Sequence, residues 1–465
     1  MSSITGQRLE VAVAHADVKT KLDDAKGFLG DVLARARKAG ADAADAILSE
    51  GQSISAERRL GRREGLERAE GRELTLRALV GRRQAIVSAS DLSDSALAAM
   101  IERAVAMARI APEDPYCGLA EPAQLARSFP DLDVVDDGEP APESLDEAAA
   151  AAEDAARSVP GITNSEGAQA GYGRSRTTLA ATNGFAGTSA HTHHSISVSV
   201  LAGGGTAMER DYDYATATHA ADLRDPVEIG KSAAAKTLRR LNPRKIATTR
   251  APVMYEPRAA VSLLGHFAGA INGQSIARGT SFLKDKKGER VFAPGIAIVD
   301  DPLRRRGLRS RAFDGEGLPT ERRAWVEDGV LTGFVLDLAT ARQLKMTPTG
   351  NASRGGSGLP SPSMSNLHLA AGTKTSEEMM AEIGTGLLVT ELIGMGVNII
   401  TGDYSRGAAG FWIENGKVAY PVSEITIAGK LQEMFAGLEA ASDLVFRWGT
   451  DSPTVRVPAM TIAGR

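Results

Sequence analysis

Residues 389–429 read VTELIGMGVNIITGDYSRGAAGFWIENGKVAYPVSEITIAG, and this stretch decides the fold of the C-terminal half. Seven glycines separate its short apolar runs, and one polar island, Gly402 to Gly407, interrupts them. Glycine at this density in strand-like sequence is typical of tight turns, or of backbone that approaches another surface closely. The stretch therefore predicts tightly packed β-structure.

Strand-like, glycine-rich sequence continues on both sides of this stretch, throughout residues 250–465. Runs such as VFAPGIAIVDDP (291–302) and AWVEDGVLTGFVLD (324–337) are typical of strands, and a loop of small residues covers 347–362. The helical patterns between them are short. We therefore expect a large C-terminal domain built on a Gly-rich, mostly antiparallel β-sheet or open barrel.

The first half of the chain predicts two smaller α+β units. In each, helical patterns accompany strand-like runs in which polar and apolar residues alternate. Pro-rich, acidic sequence separates the units, and a capping box at Ser144 and Glu147 predicts where the next helix begins. The fold class is therefore α+β, and the organisation that we expect is a frayed or disordered tail (1–20), an N-terminal α+β domain (21–110), a middle α+β domain (125–243) and the β-rich C-terminal domain (250–465).

Composition and charge argue against several kinds of function. The 465 residues include 54 basic and 58 acidic side chains, a net charge of −4, whereas a nucleic-acid-binding surface needs a basic stripe. The single cysteine, Cys117, rules out an internal disulfide and is usual in a reducing compartment. The N-terminus has no secretory pattern, and the most apolar run, 383–400, is too interrupted to span a membrane. We therefore expect a cytoplasmic protein that binds neither nucleic acid nor membrane.

Four further segments carry a resemblance to a known family. They are, in chain order, GTSFLKDKKGERVF (279–292), VDDPLRRRGLRSRAFDGEGLPT (299–320), LDLATARQLKMTPTGNASRG (336–355) and NLHLAAG (366–372). Together with the glycine-rich stretch they resemble the TldD/PmbA family of metalloproteases, on the side of its PmbA (TldE) type of subunit. The resemblance covers most of the C-terminal domain and is weaker before it. It implies a two-subunit cytoplasmic metalloprotease that matures or degrades peptides.

For the TldD type of subunit, the resemblance implies a zinc-binding helix with His-Glu-x-x-x-His upstream of a Gly-Thr-Ser segment. The matching helix here reads LLGHFAGAINGQSIARGTS (263–281), with Leu264 and Gly269 at the histidine positions and Gly265 at the glutamate position. Hydrocarbon and bare backbone neither hold a metal nor move a proton. His266 is out of register, and we expect it to pack as an ordinary helix histidine.

A cysteine ligand that the resemblance implies near the C-terminus of TldD-type chains has no counterpart in DLVFRWGTDSPTVRV (443–457). We therefore expect neither a metal nor another cofactor in this chain. Zinc is expected in a TldD-like partner subunit.

Two other groups of residues leave a different function open. His191 and His193 would share one face of a strand, where two imidazoles and a carboxylate, Asp211 or Asp213 on the following strand, could hold a divalent ion. Ser405 could act as a nucleophile if a histidine from elsewhere in the chain reached it. Either arrangement would make the chain a self-sufficient hydrolase. Surface histidines and a structural serine are the simpler interpretation.

The polar island predicts a contact site for a substrate or a partner. Arg406 could clamp a carboxylate of either, with Tyr404 and Ser405 beside it, and the strand at 408–412 could pair with an extended peptide. The structural alternative is an internal turn in which Asp403 pairs with Arg406.

The loop sequence TGNASRGG leaves the same two interpretations for Asn351 and Arg354, a contact site or an ordinary turn.

The resemblance implies a PmbA-type subunit, non-catalytic alone, which presents unfolded or short peptides to a TldD-like subunit bearing His-Glu-x-x-x-His. Without that partner it could form a homodimer. A gyrase-modulating or regulatory binding protein is a further alternative, and the charge balance disfavours direct DNA binding by it.

Overall fold

The computed structural model of the protein describes residues 24–354 and 358–464, so the predicted tail lies outside the described residues. Its helices are α1 (Ala25–Lys38), α2 (Asp94–Ile110), α3 (Pro142–Arg157), α4 (Pro226–Arg239), α5 (Pro257–Ala270), α6 (Gly273–Ala277), α7 (Leu338–Leu344), α8 (Ser376–Ile383) and α9 (Leu431–Ala436). Its strands are β1 (Ala43–Arg59), β2 (Arg62–Val80), β3 (Arg83–Ala89), β4 (Ile162–Ala181), β5 (Ala186–Ala202), β6 (Glu209–Ala217), β7 (Thr249–Tyr255), β8 (Ile298–Asp300), β9 (Arg323–Glu327), β10 (Val330–Leu331), β11 (Ala352–Ser353), β12 (Ser361–Pro362), β13 (Leu367–Leu369), β14 (Gly386–Ile393), β15 (Val397–Asn398), β16 (Asp403–Glu414), β17 (Lys417–Lys430), β18 (Glu439–Ala440), β19 (Thr450–Asp451) and β20 (Val455–Ala463).

One six-stranded antiparallel sheet dominates the first half of the chain, in the order β3-β2-β1-β4-β5-β6. Strand β1 pairs along one side with β2, where Asp45 lies opposite Arg77, and along its other side with β4, where Asp45 lies opposite Ala181. Strands of the two predicted α+β units therefore share a single sheet.

Helices α1 to α4 cover one face of this sheet. Side chains alternate between the faces along a strand, so residues an even number apart on β1 point the same way. Ala46 and Leu48 belong to the core formed with α1 and α2, and Ile54 and Ala56 to the core formed with α3 and α4. The opposite face is apolar at one end, where it packs on the C-terminal half through Ile47, Ala126, Leu179, Phe185 and Phe313.

Five strands of the C-terminal half close into a barrel. Each of β7, β14, β16, β17 and β20 pairs with two others of the set, and β14 completes the circle by pairing with both β7 and β16. Among these five, only β7 and β14 are parallel. The predicted mostly antiparallel, Gly-rich domain is confirmed, with a closed barrel in place of an open one.

Glycine permits this barrel to be tight. At Gly410 on β16, a Cβ atom would lie 1.9 Å from the carbonyl oxygen of Leu388 on β14. A side chain there would separate the two strands. This is the close backbone approach that the glycine-rich sequence predicts.

Helix α5 lies between the barrel and a second, smaller sheet with the strand order β10-β9-β8-β13-β19. It contacts β7 and β14 of the barrel as well as β13 and β19 of the small sheet. A shared apolar core, which includes Tyr255, Phe267 and Trp325, joins these elements. In the described part of the chain, every helix falls short of the length and apolar character that crossing a bilayer demands.

Candidate functional site

Helix α5 is the element on which the sequence predicts a lost metal site. Pro257 at its first position fixes the backbone for helix entry, and Leu263, Leu264 and Phe267 turn one face into the apolar core. Leu264 is 4% exposed. The first of the three predicted positions is therefore part of the hydrophobic core.

The other two predicted positions lie on the outer face of α5. Arg258, Ser262, Gly265 and Gly269 follow one another at helical spacing along this face. Gly265 is exposed, and a Cβ atom there would meet nothing within 4 Å. At Gly269, a Cβ atom would lie 3.1 Å from the Ile399 side chain, which covers that end of the helix.

His266 packs against the barrel. Its ring makes an edge-on contact with that of Tyr404 at 6.0 Å between centroids, and its Nε2 is buried without a hydrogen-bond partner among the described residues. Burial, with a further effect of the nearby Arg406 charge, lowers the pKa of His266 to about 4. The imidazole is therefore neutral at pH 7.

The three contact residues predicted on β16 point in alternating directions. Tyr404 is buried beside Tyr255, and burial raises the pKa of Tyr404 to about 12. Ser405 is exposed and points to the opposite face of the strand. Because His266 contacts Tyr404, Ser405 faces away from the imidazole of His266. Ser405 and His266 therefore do not form a nucleophile and its base.

Arg406 faces a cavity of about 340 Å³ between the N-terminal sheet and the barrel. Strand β6, helix α5 and strands β14 and β16 contribute its walls, namely Arg210, Asp211, Tyr212, Arg258, Ala259, Ser262, Thr390, Glu391, Leu392 and Arg406. The Nε atom of Arg406 is buried and has no hydrogen-bond partner among the described residues. Its terminal Nη atoms likewise have no hydrogen bond or ion pair within the described residues, so these donors are available to a ligand in the cavity.

Two sequence expectations for this strand are wrong. Asp403 does not pair with Arg406 in a turn: both lie on β16, and Asp403 forms an ion pair with Lys430 at 2.5 Å. The stretch 408–412 offers no edge to an extended peptide, because β16 pairs there with β14 on one side and β17 on the other.

Asn351 and Arg354 lie inside the chain. The Asn351 amide donates to Asp300 Oδ2 at 3.1 Å. The side chain of Arg354 is 3% exposed and forms a double hydrogen bond to Asp45, at 2.5 Å and 2.7 Å. Either side chain would have to leave these bonds to contact a substrate or partner directly.

Asp45 is an organising residue that the sequence interpretation missed. Its carboxylate also accepts a hydrogen bond from Arg77 Nε at 2.8 Å, so that two buried arginines share one buried carboxylate. Arg354 comes from the C-terminal half, and Asp45 and Arg77 from the N-terminal sheet. The signal that the sequence did contain is a single charged residue, Asp45, within the otherwise apolar start of strand β1.

The histidine cluster on β5 does not meet the carboxylates proposed for it. Asp213 pairs in register with Val198, on the face that α3 and α4 cover. His191 and His193 are an odd number of residues from Val198 and therefore occupy the opposite face. His191 Nε2 lies 2.7 Å from the Ser310 carbonyl oxygen, and His193 Nε2 lies 2.6 Å from the Thr216 hydroxyl.

The carboxylates on β6 have cationic partners instead. Asp211 accepts two hydrogen bonds from Arg258, at 2.6 Å and 2.8 Å. Asp213 pairs with Arg224 at 2.7 Å and Lys236 at 3.0 Å. Across residues 24–354 and 358–464, no three histidine, cysteine, aspartate or glutamate side chains form a group that could hold a metal ion.

A second acidic group lies buried near Asp45, in the AFDGEG part of the family segment at 299–320. Asp314 accepts hydrogen bonds from backbone amides, including that of Ala352 at 3.0 Å, and Glu316 accepts one from the Leu338 amide at 2.8 Å. Burial, together with the neighbouring Asp314, raises the pKa of Glu316 to about 8. Glu316 and Cys117 line a cavity of about 250 Å³.

Family models match most of the chain. The PmbA/TldA metallopeptidase domain 1 matches residues 44–108, the central domain 136–241 and the C-terminal domain 248–464.

Individual relatives agree with this assignment. Metalloprotease PmbA of Escherichia coli is 39% identical over 91% of this chain and 93% of its own length. A metalloprotease PmbA homolog of Haemophilus influenzae is 36% identical over 92% of this chain and 94% of its own. The crystal structure of TldE from Thermococcus kodakarensis shares the fold, with a TM-score of 0.83 and 21% identity over 94% of this chain and 99% of that one. The chain therefore belongs to the PmbA/TldD family of metallopeptidases.

Proposed function

We propose that this chain is the accessory, non-catalytic subunit of a two-component cytoplasmic metalloprotease. Its partner would be a homologous TldD-like chain that carries His-Glu-x-x-x-His and the zinc ion. The observation that carries the proposal is the character of helix α5, where Leu264 is buried in apolar core and Gly265 and Gly269 bring no side chain.

The residues at these three positions do not fit a zinc ion. Zinc in a hydrolytic site takes imidazole, carboxylate or thiolate ligands, and a carboxylate beside it serves as base. Leu264 offers only hydrocarbon, and its side chain points away from the outer face on which Gly265 lies. His266, the one imidazole on the helix, packs on Tyr404 instead.

The substrates in this proposal are unfolded or short peptides. The relatives of high identity are called metalloproteases, which supports a role in proteolysis. A subunit without zinc would contribute walls and peptide-binding surface to a chamber shared with its partner. When that partner is absent, the proposal allows a homodimer.

The test is to purify the chain alone and together with a TldD-like subunit from the same source. Zinc is measured by elemental analysis and hydrolysis with a fluorescent peptide library, both with and without a chelator. We expect no stoichiometric zinc and no cleavage by the chain alone, and chelator-sensitive cleavage by the pair.

Two controls make the result specific. A partner with glutamine in place of its motif glutamate should form the pair and cleave nothing. This chain with His191→Ala and His193→Ala should remain fully active in the pair, because the proposal gives these histidines no chemical role. Stoichiometric zinc and chelator-sensitive cleavage by the chain alone would overturn the proposal.

A further inference from the structure

We propose that the cavity around Arg406 binds a carboxylate, and that this carboxylate is the C-terminus of a peptide. The peptide nature of the ligand rests on the proposed function. The existence of a carboxylate site rests on charge and geometry alone.

The charges in the cavity wall are unbalanced at one point. Asp211 is held by Arg258 through two hydrogen bonds, and Glu391 pairs with Arg240 at 2.5 Å. Arg210 pairs with Glu166 at 3.3 Å. Within the described residues, each wall carboxylate thus has an arginine, whereas Arg406 has no carboxylate.

The surroundings of Arg406 favour an anionic ligand. Tyr404, Tyr255 and His266, which interact electrostatically with its guanidinium, carry no negative charge near pH 7. The two carboxylates of the cavity wall, Asp211 and Glu391, are already paired with other arginines. The buried Nε atom is out of reach of a ligand in the cavity, so a carboxylate would bind the two terminal Nη atoms, which have no hydrogen bond or ion pair within the described residues. The planar fork of arginine matches a carboxylate in two parallel hydrogen bonds.

The shape of the site favours a chain end. The cavity volume of about 340 Å³ is at the small end of the range for ligand pockets, enough for a terminal residue rather than a folded segment. Ser262 lines the cavity, and Gly265 continues the same face of α5 without a side chain. A peptide could therefore run over the bare helix face and end at Arg406, with Ser262 and Thr390 beside its last residue.

Peptide binding by the isolated chain tests the proposal. The probe is an N-terminally dansylated pentapeptide of glycine and alanine, whose label carries no carboxylate, prepared as the free acid and as the C-terminal amide. Fluorescence anisotropy should show the acid binding about tenfold more tightly or better, since a hydrogen-bonded charge pair is lost in the amide. Arg406→Gln should abolish this preference, whereas Arg250→Gln, an exposed arginine on β7, should leave it unchanged.

A competition experiment keeps the test independent of how the variants fold. Acetate titrated into the wild-type complex should displace the acid peptide, and chloride at equal ionic strength should not. Equal binding of acid and amide, failure of either form to bind, or a preference that survives Arg406→Gln would each overturn the proposal.

An acidic side chain of a partner subunit is the other source of the same chemistry. In that case Arg406→Gln would weaken assembly of the pair, while the isolated chain would show no acid preference. That result overturns the peptide-terminus assignment. None of these measurements involves zinc or hydrolysis, so their failure leaves the accessory-subunit proposal standing, and zinc in the lone chain would not affect them.

Discussion

Two arginine sites in this molecule differ in whether the chain supplies a carboxylate to pair with the guanidinium. At Asp45, two buried guanidinium groups from Arg77 and Arg354 share a single buried carboxylate and fasten the C-terminal half to the N-terminal sheet. At Arg406, a partly buried guanidinium lines a cavity and meets no carboxylate in the described chain. The counter-charge of the first site lies within the fold, whereas we propose that a ligand supplies the counter-charge of the second.

The two sites differ in the source of the negative charge that balances the arginine, which is the chain itself at Asp45 and, in our proposal, a ligand at Arg406. A buried ion pair whose members both come from the chain contributes to structure, and losing one member is expensive. A guanidinium without a counter-charge in the chain can pair with a ligand, which is the role that we propose for Arg406. Comparing variants at the two sites therefore separates structural from binding roles.

The largest effect is expected for Asp45→Ala. It leaves Arg77 and Arg354 buried without a negative charge, and removing one member of a buried pair costs about 3–5 kcal/mol. The thermal unfolding transition should fall sharply. As a control, Asp403→Ala breaks the exposed ion pair with Lys430 and should hardly move the transition.

The same carboxylate should make the fold sensitive to acid. Burial raises the pKa of Asp45, but Arg354 and Arg77 outweigh it, so the net pKa lies below 3.8. The stability that the carboxylate contributes is then present above about pH 4 and lost as the pH falls through the folded pKa.

For the substitution itself, an unchanged thermal unfolding transition in Asp45→Ala would show that the network of Asp45, Arg77 and Arg354 is not what joins the two halves.

Glu316, next to this network, should act in the opposite pH direction. Its pKa is raised from 4.5 to about 8 in the folded chain, so the folded state keeps a proton that the unfolded state releases in this interval. The free energy of unfolding should therefore fall as the pH rises from about 4.5 to 8.

Glu316→Gln keeps the acceptor for the Leu338 amide and removes the titration. We expect it to flatten the pH dependence and to raise stability at pH 8 by on the order of 3 kcal/mol, with little change near pH 4.5. Urea unfolding at several pH values measures both. A wild-type chain that is equally stable at pH 5 and pH 8 would contradict the prediction.

The sequence predicted the class of fold and its C-terminal character because both depend on local patterns. Glycine spacing around Gly410 predicts closely packed strands, and the alternation of polar and apolar residues predicts a sheet with one solvated face. It did not predict that the first two units share a sheet, because the β1–β4 pairing joins Asp45 to Ala181, far along the chain. Nor did it place helix α3: the helix begins at Pro142, and the Ser144 hydroxyl donates to the Ala141 carbonyl instead of forming a capping box.

The candidate site was predictable in part for the same reason. Arg406 stood out because a charged residue interrupts an apolar, glycine-rich strand, and its cavity is found in the fold. Arg354 stood out equally but is paired with Asp45 inside the fold, and the sequence could not show this because the two residues are far apart along the chain. Sequence patterns identify unusual charges, and only the tertiary structure shows which of them are already paired.

A smaller effect is expected on the helix face beside Arg406. Gly265→Ala adds a methyl group into open space within a helix, and alanine is favoured over glycine there by about 1 kcal/mol. The unfolding midpoint should rise. Gly269→Ala is the matched comparison: the methyl group meets Ile399 at 3.1 Å, so its gain should be smaller or absent. A loss of stability in Gly265→Ala would mean that this face is covered within the chain.

The smallest change in stability is expected for Arg406→Gln, and it bears most directly on the comparison. The substitution removes no ion pair or hydrogen bond within the described chain, and it also removes the buried Nε donor that has no partner there, so the free energy of unfolding should fall by no more than about 0.5 kcal/mol. Arg354→Gln, which strips Asp45 of one of its two arginines, should cost roughly 3 kcal/mol in the same assay. If both variants were destabilised alike, Arg406 would have a structural partner and the two sites would not differ in kind. If Arg406→Gln keeps the fold and loses the preference for a free carboxyl terminus, its charge serves binding rather than folding.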